Sequence, residues 1–496
     1  MIRAALAGAV CIFGFAPYYL WPIPMLALAV PFLAWSRAPS ARSAFATGYA
    51  FGLGFFLAGV SWIYVALHEF GGMPAVLAAI AVLLFCAFLA LFPALAGWAT
   101  VRFCANPGWR LVLAPAAYTL AEMLRGWIFT GFPWLAIGAS QVPSSPLAGA
   151  IPVIGMYGVS LVGCLAASMG AIALRRESKV RTRSAMVVAI AALFGIGEGL
   201  DYIEWTEPAG PAIPIALLQG NVAEELKWRD EERVRTLDEY RDMIEAAKAK
   251  VVVLPETALP SSFDALPPEY VQGLRESARR EGKDIVMGVI ERERNGNAIA
   301  YYNSVVNLTA EKPVFYRKRH LVPFGEFIPP GFGWVFAVLK IPMGDLARGA
   351  DSQGALTVDG TAFGVAICYE DLFGREVIDS LPAAQILLNV SNDAWYGHSL
   401  AADQHLQASQ VRAAETGRWM LRATNTGVTA AINPDGEVVG QLAQFTKDTL
   451  VASAEPRMGM TPYARAGDAL ALALAAALAL LAAWRGRLFD ALRESL

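Results

Sequence analysis

Three residues far apart in the chain have the chemistry for acyl transfer: Cys368, Glu256 and Lys318. Cys368 closes the short run GVAI at 364–367 and is followed at once by Tyr369, Glu370 and Asp371. An apolar run of that length reads as a buried strand, and a nucleophile on an α/β scaffold sits where such a strand ends and the chain turns. The plainer reading is a small core hydrophobe, the usual role of a buried free cysteine. Glu256 follows VVVLP, which places its carboxylate at a strand end in a partly dry pocket, where a carboxyl gains basicity; the alternative is a surface Glu at a turn. Lys318 lies in YRKRHLVPFGEF. A basic trio reads first as a solvated strand edge, yet the stretch runs on into apolar residues, which tucks one of the three inward. Together these groups suffice. The thiolate attacks a carbonyl, the carboxylate takes and returns a proton, and the ammonium stabilises the oxyanion beside a backbone N–H.

No histidine is needed for that chemistry. His68, His320, His398 and His405 form no pattern that reads as a triad or a metal site, and no Gly-rich phosphate loop is present, so neither metal nor cofactor is expected. Four of the five cysteines, Cys11, Cys86, Cys104 and Cys164, fall in the apolar part of the chain. Cys368 therefore has no disulfide partner in the part that carries it.

The elements that position these residues read as strands and helices in alternation. Strands are expected at 213–218, 251–254, 285–291, 299–308, 314–318, 364–368, 385–390, 418–424 and 428–432. The Asn-Gly pair at 295–296 predicts a hairpin between the third and fourth. Helices are expected at 230–250, where Val234, Leu237, Ile244 and Ala247 share one face, and at 268–281 and 403–415. Interleaved strands and helices give an α/β domain with layered sheets.

The rest of the chain is of another kind. Of its 83 Asp, Glu, Lys and Arg residues, residues 1–200 hold fifteen. Apolar segments there recur at 2–15, 19–35, 44–67, 75–101, 110–128, 151–174 and 184–200, and one more lies at 467–484; this predicts a bundle of about eight membrane spans. A signal peptide is set aside because six further spans follow the first and no cleavage pattern separates them. The division expected is a membrane bundle over 1–200, a soluble domain over 211–460 and a final span at 467–484. Arg37, Arg42, Arg102, Arg110 and the cluster Arg175, Arg176, Lys179, Arg181 and Arg183 all fall on one side, while the short loops near 16–22, 68–74 and 129–150 hold no Lys or Arg. By the positive-inside rule both termini are cytoplasmic and the soluble domain is outside. Glu122 and Arg125, three residues apart near the outer end of the fifth span, read as an ion pair shielded from lipid, with contact to a lipid head group as the alternative. A net charge of −3 says nothing of partners, and nothing points to nucleic acid.

LPETALP around Glu256, YRKRHLVPFGE around Lys318 and ICYEDLF around Cys368 stand in the order found in the nitrilase, or carbon–nitrogen hydrolase, superfamily. SNDAWYG at 391–397, RAAETGRWMLRATNTG at 412–427 and NPDGEVV at 433–439 extend the similarity. With GFPW at 131–134, QGNVAEELKW at 219–228, PFGEF at 323–327 and the apolar flanks, the chain resembles the bacterial apolipoprotein N-acyltransferases along nearly its full length. The resemblance implies an αββα sandwich facing the periplasm from the inner membrane, with a Glu256–Lys318–Cys368 triad. It also implies supporting roles for Glu326, Tyr369 and Glu370, and a place for Trp228 at the lipid-binding mouth. The implied reaction moves a fatty acyl chain from a phospholipid, preferably phosphatidylethanolamine, through Cys368 to the N-terminal amine of a diacylglyceryl apolipoprotein.

Two rival functions follow from the same residues. One is an amide hydrolase of this fold with a small substrate; the other is a transporter whose soluble part only binds, although a transport path would want more intramembrane charge than Glu122 and Arg125. Residues 327–340, FIPPGFGWVFAVLK, hold no charge before Lys340. They read either as core or as an arm that dips Trp334 into the outer leaflet beside the site.

Overall fold

The computed structural model describes residues 1–223, 230–296, 298–331 and 345–494. The chain separates into two units, one of Met1–Tyr64, Pro74–Glu204 and Pro462–Leu496, the other of Val65–Met73 and Trp205–Thr461. The expected stretches at 224–229 and 332–344, with Trp228 and Trp334, lie outside the described residues.

The first unit is helical. Among the described residues, five helical stretches are long and apolar enough to cross a membrane: Ala41–Val60, Ala75–Phe103, Pro146–Ala173, Val180–Asp201 and Ala469–Gly486. Ile2–Gly14 and Pro22–Arg37 are apolar but shorter. Pro107–Arg125, expected as the fifth span, is a helix of 19 residues and is not among the five. The third span ends earlier than the apolar run does. Ser40 caps its start by accepting from the Ser43 N–H, and the helix stops at Val60. The run then continues into a single wide turn, Ala66–Phe70, grouped with the second unit, where Phe70 meets Trp395 edge-on at 6.1 Å.

Glu122 and Arg125 are both 3% exposed, 3.9 Å apart, and bound to protein. Arg125 donates to the carbonyls of Phe132 and Trp134 at 2.7 and 2.5 Å, and Glu122 accepts from the Ile137 N–H at 2.9 Å. The pair therefore pins the GFPW loop to its helix. This is the shielded ion pair, with each charge further satisfied by backbone, as a buried charge requires.

The second unit is built on two six-stranded sheets. In chain order the strands are β1 Ile213–Gln219, β2 Val251–Val253, β3 Asp284–Asn295, β4 Ala298–Asn307, β5 Phe315–Arg317, β6 Leu356–Val358, β7 Thr361–Ile367, β8 Ile386–Ser391, β9 Met420–Thr424, β10 Ala430–Ile432, β11 Val438–Gln441 and β12 Asp448–Ala454. The first sheet runs β12-β1-β2-β3-β4-β5, the second β11-β10-β9-β8-β7-β6. Strands β1, β2 and β3 are parallel, as are β7, β8 and β9, while β3 and β4 form the expected antiparallel hairpin.

Side chains on one face of each sheet pack under helices. Ala216, Leu218, Val252 and Leu254 form a core with Leu237, Tyr240 and Ile244 of helix Asp230–Ala246 and with Leu274 and Ala278 of helix Pro268–Glu281. Leu387, Met420, Ala430 and Ile432 do the same with Ala402, Leu406 and Ala413 of helix Ala401–Thr416. The opposite faces of the two sheets meet, so the layers run helix, sheet, sheet, helix. Strands β6, β11 and β12 are absent from the sequence reading. The first is three residues long, β11 alternates between intermediate and exposed positions, and β12 is intermediate or exposed until Ala454, so neither presents a buried apolar run to mark it.

Candidate active site

Glu256 and Cys368 both follow the carboxyl ends of parallel strands, β2 and β7, where open α/β sheets place their chemistry. At Glu256 the chain is wedged against β3: the Leu254 N–H donates to Val286 O and the Ala258 N–H to Gly288 O. A Cβ on Gly288 would overlap Pro255 O and Glu256 Cα, so only glycine allows that approach. Cys368 opens a single 3-10 turn, Cys368–Leu372, and takes φ of +53°, a left-handed conformation rare outside glycine. Such strain persists where surroundings enforce it, and it is common at reactive centres.

Glu370 enforces it from one side. Its carboxylate accepts from the Ile367 N–H at 2.7 Å, from the N–H groups of Arg319 and His320 at 2.6 and 3.1 Å, and from Tyr316 Oη at 3.0 Å. One buried side chain thus ties the turn that bears Cys368 to the segment that bears Lys318. Lys318 itself continues β5, with its N–H on Asn303 O at 2.7 Å. Of the basic trio, Lys318 and Arg319 are buried, and Arg317 lies over the Tyr302 ring at 4.0 Å, so two of the three turn inward rather than one.

Glu256, Lys318 and Cys368 are 6%, 1% and 7% exposed. Lys318 Nζ lies 2.9 Å from Glu326 Oε1 and 3.6 Å from Glu256 Oε1. Asn303 Nδ2 donates to both carboxylates, at 2.6 Å to Glu256 and 3.1 Å to Glu326. Glu326 Oε2 accepts from the Val322 N–H at 2.8 Å. Burial opposes the Lys318 ammonium, but Glu326 and Glu256 outweigh it and hold its pKa above the ordinary lysine value. Burial raises the Cys368 thiol, Glu256 raises it further, and Lys318 and the Ser391 hydroxyl only partly compensate. The resting group is therefore a thiol whose proton must be taken by a base, beside a lysine that stays charged.

Of the supporting residues that the resemblance implies, Glu326 and Glu370 stand within this set of contacts. Tyr369 lies instead in an aromatic cluster, edge-on to His320 at 5.7 Å and to Phe373 at 5.2 Å. Sequence reasoning missed Asn303, which carries no signal beyond a polar residue in an apolar strand. It also missed a buried group behind Cys368: Asp371, Asn389, Asp393, His405, Ser409 and Arg422. His405, passed over as an isolated histidine, sits between two carboxylates, with Nε2 3.0 Å from Asp371 Oδ1 and Nδ1 2.9 Å from Asp393 Oδ1. Burial and Arg422 work against its charged form, Asp371 and Asp393 outweigh them, and its pKa is raised to about 9.

The carbon–nitrogen hydrolase family matches residues 214–463, and the family described as apolipoprotein N-acyltransferase N-terminal domain matches residues 7–169. An apolipoprotein N-acyltransferase of Nitrosomonas europaea is 45% identical over 494 residues, covering 98% of this chain and 98% of that relative. The chain belongs to the apolipoprotein N-acyltransferase family. Relatives of that name from Chromobacterium violaceum and Methylococcus capsulatus are 45% and 42% identical, over 98% and 96% of this chain and 94% of each relative. Membership in the N-acyltransferase family sets aside both the amide hydrolase and the transporter. It also accounts for an apolar helical unit and a carbon–nitrogen hydrolase domain in one chain.

Proposed function

We propose that the protein moves a fatty acyl chain from a membrane phospholipid to the N-terminal amine of a diacylglyceryl apolipoprotein, in two steps through Cys368. The observation that carries this reading is the buried Lys318 ammonium held between Glu256 and Glu326 in the same buried site as Cys368, whose thiol pKa is raised by burial and by Glu256. In the first step Glu256 takes the thiol proton as sulfur attacks the donor ester. The S–C bond forms, the ester C–O bond breaks, and Glu256 returns the proton to the departing alkoxide, which leaves as the lysophospholipid hydroxyl. Lys318 and a backbone N–H stabilise the oxyanion between these events. In the second step the amine attacks the thioester, the N–C bond forms, the S–C bond breaks, and the amine proton passes through Glu256 to the thiolate.

Phosphatidylethanolamine is the donor we assign, and Trp228 and Trp334 are the aromatic residues we assign to the lipid. The setting is a bacterial inner membrane, with eight spans, both termini in the cytoplasm and the catalytic unit in the periplasm. The one-sided distribution of Lys and Arg supports that orientation. A single cysteine placed at Ser178 should label only from the cytoplasmic side and one at Gly296 only from outside; labelling of both from one face would refute the topology. The reaction is tested with phosphatidylethanolamine carrying a labelled acyl chain and a diacylglyceryl-cysteine peptide. Label on the peptide amine with release of lysophospholipid is expected. Label appearing as free fatty acid with or without peptide would instead mark a hydrolase.

A further inference from the structure

The group behind Cys368 costs more than an apolar filling would. Asn389, His405, Asp371, Asp393 and Arg422 are all buried. Arg422 Nη1 lies 3.2 Å from Asp371 Oδ2, 2.9 Å from Asn389 Oδ1 and 3.2 Å from Ser409 Oγ. Its Nη2 lies 2.8 Å from Asp393 Oδ2 and 2.8 Å from His405 Nδ1. Charges taken this far from water lose most of their solvation, and well-packed apolar residues often stabilise as much or more. What apolar residues cannot do is hold a carbonyl.

Two members of the group do that. Asn389 Nδ2 donates to Cys368 O at 3.1 Å, and His405 Nε2 lies 3.2 Å from the same oxygen. Nε2 faces two acceptors, Cys368 O and Asp371 Oδ1, so it carries a proton. The carbonyl they hold belongs to the peptide unit that joins Cys368 to Tyr369. In a planar trans peptide the N–H points opposite the C=O, so fixing Cys368 O on the protein side fixes the Tyr369 N–H on the other edge of the same plane. Donors on the carbonyl also polarise the unit and strengthen its N–H as a donor.

We propose that Asn389 and His405 are positioning residues for acyl transfer, holding the Cys368–Tyr369 peptide so that the Tyr369 N–H meets the oxyanion opposite Lys318. Asp371, Asp393 and Arg422 orient these two, and the left-handed turn at Cys368 is the backbone conformation the arrangement maintains. The proposal rests on the two-step reaction above.

The test separates chemistry that develops an oxyanion from chemistry that does not. Acylation of Cys368 by phosphatidylethanolamine passes through a tetrahedral oxyanion, whereas alkylation of the same thiol by iodoacetamide displaces iodide at a saturated carbon. Both rates are followed by mass analysis of the peptide that contains Cys368, in the detergent-solubilised full chain, for wild type, Asn389→Ala, His405→Phe and His405→Gln. In Asn389→Ala and His405→Phe acylation should fall about 10- to 100-fold, a fraction of the loss seen when an oxyanion donor is removed outright. Alkylation should stay within about threefold and KM for the phospholipid should be unchanged, because the thiol and the lipid contacts are untouched. His405→Gln, which keeps a donor near Cys368 O, should recover most of the loss. Acylation and alkylation falling in parallel, or acylation unaffected, would overturn the proposal. Loss of the fold in both Asn389→Ala and His405→Phe would assign the group to stability and overturn it equally. A wild-type protein that alkylates but never acylates would refute the two-step reaction itself.

Discussion

Replacing Glu256 by Gln separates the base from the rest of the site. The amide keeps an oxygen for Asn303 Nδ2, which donates to Glu256 Oε1 at 2.6 Å, and Lys318 keeps Glu326 at 2.9 Å. The variant should therefore fold and leave the lysine charged. What it loses is the proton acceptor, and general-base catalysis contributes about 10²- to 10⁴-fold. The pH dependence gives a second reading. The Glu256 charge is one of the causes that raise the Cys368 thiol, so its removal lowers that pKa, while burial, the largest cause, still keeps it above the ordinary value. The thiol must then lose its proton to solvent before it can attack. Acylation by Glu256→Gln should climb about tenfold per pH unit from pH 7 to 9, as the thiolate fraction does. Wild type should vary far less over that range. The assay is single-turnover acylation of the detergent-solubilised chain by phospholipid, with thermal unfolding alongside. Acylation within threefold of wild type at neutral pH, or a rate that ignores pH, would refute Glu256 as the base.

Two further substitutions test what holds the site together. In Glu370→Gln the side-chain nitrogen can no longer accept, so at least one of the N–H groups of Ile367, Arg319 and His320 is left unmet; thermal unfolding should register a loss of about 1–3 kcal/mol, and acylation should slow with it. Gly288→Ala forces Pro255 and Glu256 away from β3; overpacking of this kind costs about 1–3 kcal/mol, and the acylation rate should drop more than the unfolding temperature suggests, because the displaced group is the base.

The strands that carry the chemistry were legible because they are short apolar runs that stop abruptly. VVV before Glu256 and GVAI before Cys368 are strands in the structure, and the 295–296 turn closes the hairpin read from Asn-Gly. That the basic stretch turns inward was legible from the apolar residues that follow it, but not which residues do so: Lys318 and Arg319 are both buried. The contacts that make it a site were not legible. Asn303 is 47 residues from Glu256, and His405 and Arg422 are 37 and 51 residues from the Cys368 and Asp371 atoms they face. Single polar residues on strands and helices have no periodicity to betray them; the pairing of β7, β8 and β9 sets Asn389 and Arg422 behind Cys368, while His405 arrives on helix Ala401–Thr416 and Asn303 on β4 of the other sheet. In the helical unit, composition marks apolar length but not where a helix ends. Capping by Ser40, the stop at Val60 and the break at Ala90 between Ala75–Leu89 and Leu91–Phe103 follow from local geometry. Glu122 and Arg125 were recognisable as a pair by their spacing, but the loop carbonyls they serve lie seven and nine residues from Arg125.

The central claim is that Cys368 carries the acyl chain between donor and acceptor, and intact-mass analysis of the purified chain tests it most directly. After incubation with phosphatidylethanolamine and no acceptor, the protein should gain the mass of one fatty acyl group, lose it to hydroxylamine, and gain nothing in Cys368→Ala. An acyl group that still accumulates in Cys368→Ala, or a wild-type chain that transfers label to the peptide without ever gaining that mass, would contradict the account.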